Sequence, residues 1–192
     1  MEETGKPQNN YWVDFYKLNT LTDKPSGFCT YVCDNYNLKD KKIVELCCGN
    51  GRDSYFLSNH CKEIHAVDRA IKLKELVNLR SHKQDIIDFF PPTQHFDLTY
   101  CRFGLHSITE EIEDVILQHS NVIFFEFRSD KDNSYKEDHF RRRINGNNFL
   151  SKLIDFQYEI VYYKEAKDLA IFENQNPYII RVIAKKYKKE NK

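Results

Sequence analysis

No stretch of this chain approaches the uninterrupted apolar length of a membrane span. Its first residues, MEETGKPQNNYW, are polar and acidic where a secretory leader is basic and then apolar. The expectation is a cytoplasmic protein with no membrane partner. Net charge is also lacking, because lysine plus arginine and aspartate plus glutamate stand at 29 each. Nothing in that balance draws the chain toward nucleic acid. Cys29, Cys33, Cys47, Cys48, Cys61 and Cys101 form no pair of C-x-x-C knuckles with histidines at finger distance. No metal site is expected, and the set reads as reduced thiols used in packing. No internal repeat or long Gly/Ser linker divides the 192 residues, and the basic end KKYKKENK reads as a solvated tail. A chain of this length buries a substantial core by itself. The expected organisation is one domain over 1–192, with a helical cap at 1–38, an α/β core at 39–186 and the basic tail at 187–192.

What is present is alternation. Tyr11 to Lys17 and Phe28 to Asn35 look helical. IVEL, IHAVD, KQDII, FDLTYCRF and NVIFFEF then read as strands, separated by the helix-like RDSYFLSNH, AIKLKELVNL and ITEEIEDVILQH. Ser107 followed three residues later by Glu110 matches a capping box for the last of these helices. Strands alternating with helices imply a parallel sheet covered on both faces, since parallel neighbours need a crossover. After the helix-like NNFLSKLIDF, the strands YEIVYY and YIIRVIAKKY follow with no helix between them. They are expected to form an antiparallel pair at the sheet edge.

Open α/β sheets bind ligands beyond the carboxyl ends of their strands, which directs attention to the first turn, IVELCCGNGRDS. Gly49 and Gly51 let the backbone approach a ligand closely. A mononucleotide loop would need Gly-Lys-Ser/Thr, and none occurs. A nicotinamide dinucleotide fingerprint would place a third glycine where Ser54 stands, and Glu45 is an odd neighbour for pyrophosphate. S-adenosylmethionine has no phosphate and brings an ammonium group, so Glu45 at the strand end becomes favourable. Asp68 ends the second strand at the interval of about 20 residues where a carboxylate reaches a ribose diol. Asp85, at the third strand end, is placed to accept from the adenine amine, with Ile86 covering the ring.

ELCCGNGRDSYFL, HAVD and QDI resemble, in order and spacing, the class I S-adenosylmethionine-dependent methyltransferases. YWVDFYKLN, YCRFGLHSITEE and EFRSDKDNSYKEDHFRRRIN resemble a branch of small methyltransferases associated with surface-glycan and capsule biosynthesis. The resemblance implies a Rossmann-like three-layer α/β sandwich with a seven-stranded, mostly parallel sheet in the order 3-2-1-4-5-7-6, strand 7 antiparallel. It also implies a helix folded over the cofactor, for which Tyr11 and Tyr16 are the candidate contacts. Cys47 departs from the pattern, standing where the family's turn has its first glycine.

Methyl transfer from a sulfonium is an in-line displacement, accelerated by aligning the acceptor and excluding water. Arg102 and His106 follow the fourth strand, and Arg128 ends the fifth. Beyond it lie Tyr135, His139, Arg141, Arg142 and Arg143. The arginines are candidate clamps for a phosphate or carboxylate of the acceptor, and a neutral hydroxyl would need His106 or His139 as base. The expected acceptor is a small molecule: a sugar, nucleotide-sugar or phosphate-bearing glycan precursor methylated on oxygen. A thiol or metalloid acceptor, and a non-catalytic protein that keeps the cofactor fold, are the alternatives.

Overall fold

The computed structural model describes residues 11–18, 22–91, 95–134, 140–171 and 175–187. The strands are β1 (Lys42–Leu46), β2 (Glu63–Asp68), β3 (Leu79–Lys83), β4 (Leu98–Arg102), β5 (Val122–Arg128), β6 (Tyr158–Ala166) and β7 (Ile179–Lys186), most of them apolar runs, with the polar LRSHK of β3 at a sheet edge. They make one seven-stranded sheet in the order β3-β2-β1-β4-β5-β7-β6. β1 to β5 pair in parallel, and β7 runs antiparallel to both β5 and β6. This is the expected topology, including the edge pair.

Helices α1 (Tyr11–Leu18), α2 (Gly27–Asn35), α3 (Arg52–Ser58), α4 (Ile86–Phe89), α5 (Glu110–His119) and α6 (Gly146–Asp155) flank the sheet. Successive strand side chains point to opposite faces, which splits the core into two layers. Val44, Phe125 and Phe127 join Leu117 and Phe149 on one side. Ile43 and Phe124 join Phe28, Val32 and Leu57 on the other. Each such buried side chain contributes roughly 1.5–3 kcal/mol. Helix starts are capped by sequence-local acceptors: Ser26 Oγ accepts from Cys29 N at 3.0 Å, and Asn145 Oδ1 from Asn147 N and Asn148 N, each at 3.1 Å.

The structure corrects three local expectations. AIKLKELVNL is not a helix, and its backbone runs irregularly from Asp68 into β3. Leu76 and Val77, which a helix would have buried, are exposed. The backbone donors of Leu73 and Lys74 go to Ser81 Oγ (2.8 Å) and Tyr55 Oη (3.1 Å). KQDII is likewise not one strand, because Asp85 Oδ1 accepts from Ile87 N at 3.2 Å and opens α4. At α5 the capping residue is Thr109, without a side-chain cap bond, and Ser107 lies in a preceding 3-10 turn, Leu105–Ser107. Among the described residues, no helix is long and apolar enough to cross a membrane.

Candidate active site

The carboxyl ends of β1, β2 and β4 and the turn after β3 open onto one cleft of about 510 Å³, which α1 also lines. Glu45 approaches it from β1, 3% exposed, and Ser54 Oγ donates to its Oε2. Burial, and after it the neighbouring Asp53, holds the Glu45 carboxyl well above the usual carboxylate range. The chain then turns through Cys47, Gly49 and Gly51, at φ 55°, 56° and 77°. Glycine adopts that region freely, whereas a side chain there costs about 1–2 kcal/mol. Cys47 therefore sits in a backbone conformation that favours glycine. A Cβ on Gly49 would lie 2.5 Å from Tyr16 Oη, so α1 sends its phenol into the turn itself. Burial, with Asp68 next, pushes the Tyr16 pKa up and keeps the hydroxyl neutral.

Asp68 braces the same turn. Its Oδ2 accepts from Gly49 N at 2.9 Å and its Oδ1 from Ala70 N at 2.8 Å. Burial lifts its pKa in spite of those bonds. Asp85 caps α4 and stands 3.8 Å from Arg69 Nη1, with Ile86 beside it in the cleft wall. Glu45, Cys47, Gly49, Asp68, Asp85, Ile86 and Tyr16 thus surround one cavity. Gly51 stands behind the turn, where a Cβ would strike Leu73. Tyr11 is not in the wall; it stacks on Phe15 with centroids 6.3 Å apart, and Trp12 and Phe15 reach the cleft instead.

On the β4 side, Arg102 Nε donates to Glu126 Oε1 at 2.8 Å, and its guanidinium lies 4.3 Å from the Phe103 ring centroid. Phe103 has φ 54°, a second strained residue at this edge. Arg128 also lines the cleft, held by Asp132 Oδ2 (2.6 Å), Ser134 Oγ (3.0 Å) and Gln175 Oε1 (3.3 Å).

The arginine run goes elsewhere. Arg142 donates from Nε to Ile108 O (2.7 Å), and from Nη2 to Leu105 O (3.1 Å) and Glu113 Oε2 (2.5 Å). It fastens the segment after β4 to α5. Neither Arg141 nor Arg143 lines the cleft, and His106, 4% exposed, is turned into the core by the 3-10 turn. Tyr135 and His139 lie outside the described residues.

Two residues of the cleft wall, Arg52 and Asp53, escaped the sequence reading. Asp53 is 3% exposed and accepts from Ser26 N (2.7 Å), Ser26 Oγ (2.7 Å) and Tyr100 Oη (2.9 Å). It ties α2 to the glycine turn. The available signal was an arginine and an acid at the first two positions after Gly-x-Gly.

No protein-family model matches the chain, and no curated protein does. Solved structures match its fold. A S-adenosylmethionine-dependent methyltransferase from Anabaena variabilis aligns with TM-score 0.69 at 15% identity, over 97% of this chain and 99% of that one. Magnesium protoporphyrin IX methyltransferase from Synechocystis, with bound S-adenosylmethionine, aligns with TM-score 0.60 at 12% identity, over 95% and 87%. The [4+2]-cyclase SpnF aligns with TM-score 0.63 at 10% identity, over 83% and 80%. The fold is that of the class I S-adenosylmethionine-dependent methyltransferases.

Proposed function

We propose that the cleft binds S-adenosylmethionine and that the protein transfers its methyl group to an oxygen of a small acceptor: a sugar, nucleotide-sugar or phosphate-bearing glycan precursor. The observation that carries the cofactor reading is the convergence of Glu45, Asp68 and Asp85 with a left-handed glycine turn on one cavity. A buried carboxyl with a raised pKa is a poor anion until a cation faces it, which suits Glu45 to the cofactor's ammonium group. Gly49 and Gly51 keep the turn free of side chains, with Cys47 completing its path. Asp68 retains lone-pair capacity beyond its bonds from the backbone of Gly49, Ala70 and Ile71 for the ribose hydroxyls. Asp85 and Ile86 take the adenine end, and Tyr16 covers the methionine end. When bound, the cofactor supplies an electrophilic methyl group.

The chain's own part at the acceptor is to orient and to exclude water. Arg102 and Arg128 are the guanidiniums of the original candidate set that reach the cleft, and they favour an oxygen-rich, anionic acceptor over a thiol or metalloid. The surface-glycan association rests on the sequence resemblance. The likeness to a cyclase shows that this fold carries other chemistries, so binding and turnover need separate tests. Calorimetry with S-adenosylmethionine tests the first, and absence of binding removes the proposal. Labelled cofactor with a panel of sugar nucleotides and phosphosugars, scored by product mass, tests the second. Cofactor binding without any methylated product would favour the non-catalytic reading.

A further inference from the structure

Arg52 is a cation carried to the cleft wall with only a long ion pair among the described residues. Its side chain is 19% exposed and lines the cavity. Its nearest acidic oxygen among the described residues is Asp53 Oδ1, 3.9 Å from Nε. Asp53 is already committed to Ser26 N, Ser26 Oγ and Tyr100 Oη at 2.7, 2.7 and 2.9 Å. The next guanidinium along the wall, Arg102, is tied to Glu126, and Glu126 also accepts from Arg181 at 2.5 Å. Arg52, Arg102 and Arg181 here share two carboxylates, Asp53 and Glu126, which leaves this side of the cleft with one more cation than anion. Burial, and after it repulsion from Arg102, pushes the Arg52 pKa down. Arginine does not relieve such a position by losing its proton, and an anion entering the cleft would meet a guanidinium that no close carboxylate neutralises. Ser107 Oγ, buried and without a hydrogen-bond partner among the described residues, belongs to a residue of the same wall.

We propose that Arg52, assisted by Arg102, seats an anionic oxygen group of the methyl acceptor, a carboxylate or a phosphate. The proposal rests on the cofactor reading of the cleft. In the sheet order, Asp68 and Asp85 belong to the β2–β3 side of β1, whereas Arg102 ends β4 on the other side. Arg102 therefore stands on the half of the cleft left for the acceptor, and Arg52, close enough to be repelled by it, stands between that half and the glycine turn. A planar guanidinium grips two oxygens at once, which a lysine ammonium does not.

The test uses the full chain saturated with S-adenosylhomocysteine, titrated calorimetrically with inorganic phosphate and with acetate. Wild type is expected to bind at least one of them, Arg52→Gln to bind it tenfold or more weakly, and Arg52→Lys to fall between. Affinity for S-adenosylhomocysteine should stay within twofold in both variants. Equal anion affinity in wild type and Arg52→Gln overturns the proposal, as does a wild type that binds neither anion. A tenfold loss of S-adenosylhomocysteine affinity, or competition between it and phosphate, overturns it too, because the seat then belongs to the cofactor's own carboxylate. Failure of wild type to bind S-adenosylhomocysteine is a different result: it removes the cofactor reading, and this assignment with it.

Discussion

Replacing Gly104 with alanine would put a methyl group where two sulfurs already lie. The backbone there, at φ −92° and ψ −40°, suits any residue, so the effect comes from space alone. The added Cβ would lie 2.6 Å from Cys47 Sγ, 2.7 Å from Cys101 Sγ and 2.7 Å from Cys47 Cβ, about 1 Å inside normal contact. The neighbours sit at the ends of adjacent paired strands and have little room to give. Overpacking of this kind costs roughly 1–3 kcal/mol, offset by about 0.5 kcal/mol from the smaller unfolded-state entropy of alanine. A net loss of about 2 kcal/mol corresponds to a fall in Tm of about 4–8 °C at this size. Cys47→Gly removes two of the three clashes and relieves the left-handed cysteine. In that background, Gly104→Ala should cost about 1 kcal/mol or less, a favourable coupling of about 1 kcal/mol in the double-mutant cycle. Urea unfolding followed by circular dichroism measures all four forms. If alanine costs the same in both backgrounds to within about 0.5 kcal/mol, the reasoning that Gly104 makes room for the Cys47 side chain is wrong.

Asp68→Ala should weaken S-adenosylmethionine binding by roughly 1.5–3 kcal/mol, about tenfold to a hundredfold, since a charged acceptor is lost and Gly49 N loses its brace. Unchanged calorimetric affinity in a folded variant would take Asp68 out of the site. The Glu45 pKa is raised by burial and then by Asp53, while an ammonium group favours the ionised form. Below that raised pKa, cofactor binding must expel a proton, so affinity should fall as pH falls through it and level off above it. Glu45→Gln should flatten this part of the profile; a wild-type profile equally flat would refute the pairing. Arg142→Ala should cost about 2 kcal/mol of stability, because Leu105 O, Ile108 O and Glu113 lose a charged donor, and leave cofactor affinity within twofold. Thermal unfolding and calorimetry check this pair of outcomes, and a selective loss of cofactor affinity would contradict it.

The strands were legible because IVEL, IHAVD and NVIFFEF are short apolar runs separated by crossovers, and parallel pairing then brings their carboxyl ends to one edge. That pattern alone brings Glu45, Asp68 and Asp85 to one edge. The segment before β3 misled because Ala70, Leu73 and Val77 imitate a helical stripe, whereas the side chains of Tyr55 and Ser81 claim its backbone donors. The arginines at 141–143 and His106 were legible as chemical types near the right edge. Their directions were not, since Arg142 is captured by carbonyls and an acid more than 25 residues earlier. By itself, then, the amino-acid sequence determined the alternation of elements, and hence which residues stand at the sheet's carboxyl edge. Only the tertiary structure decided which of those side chains turn into the cleft. That choice depends on which distant groups claim each one first: Asp53 is taken by Ser26 and Tyr100, Arg142 by the segment after β4, and Arg52 is left facing the cavity.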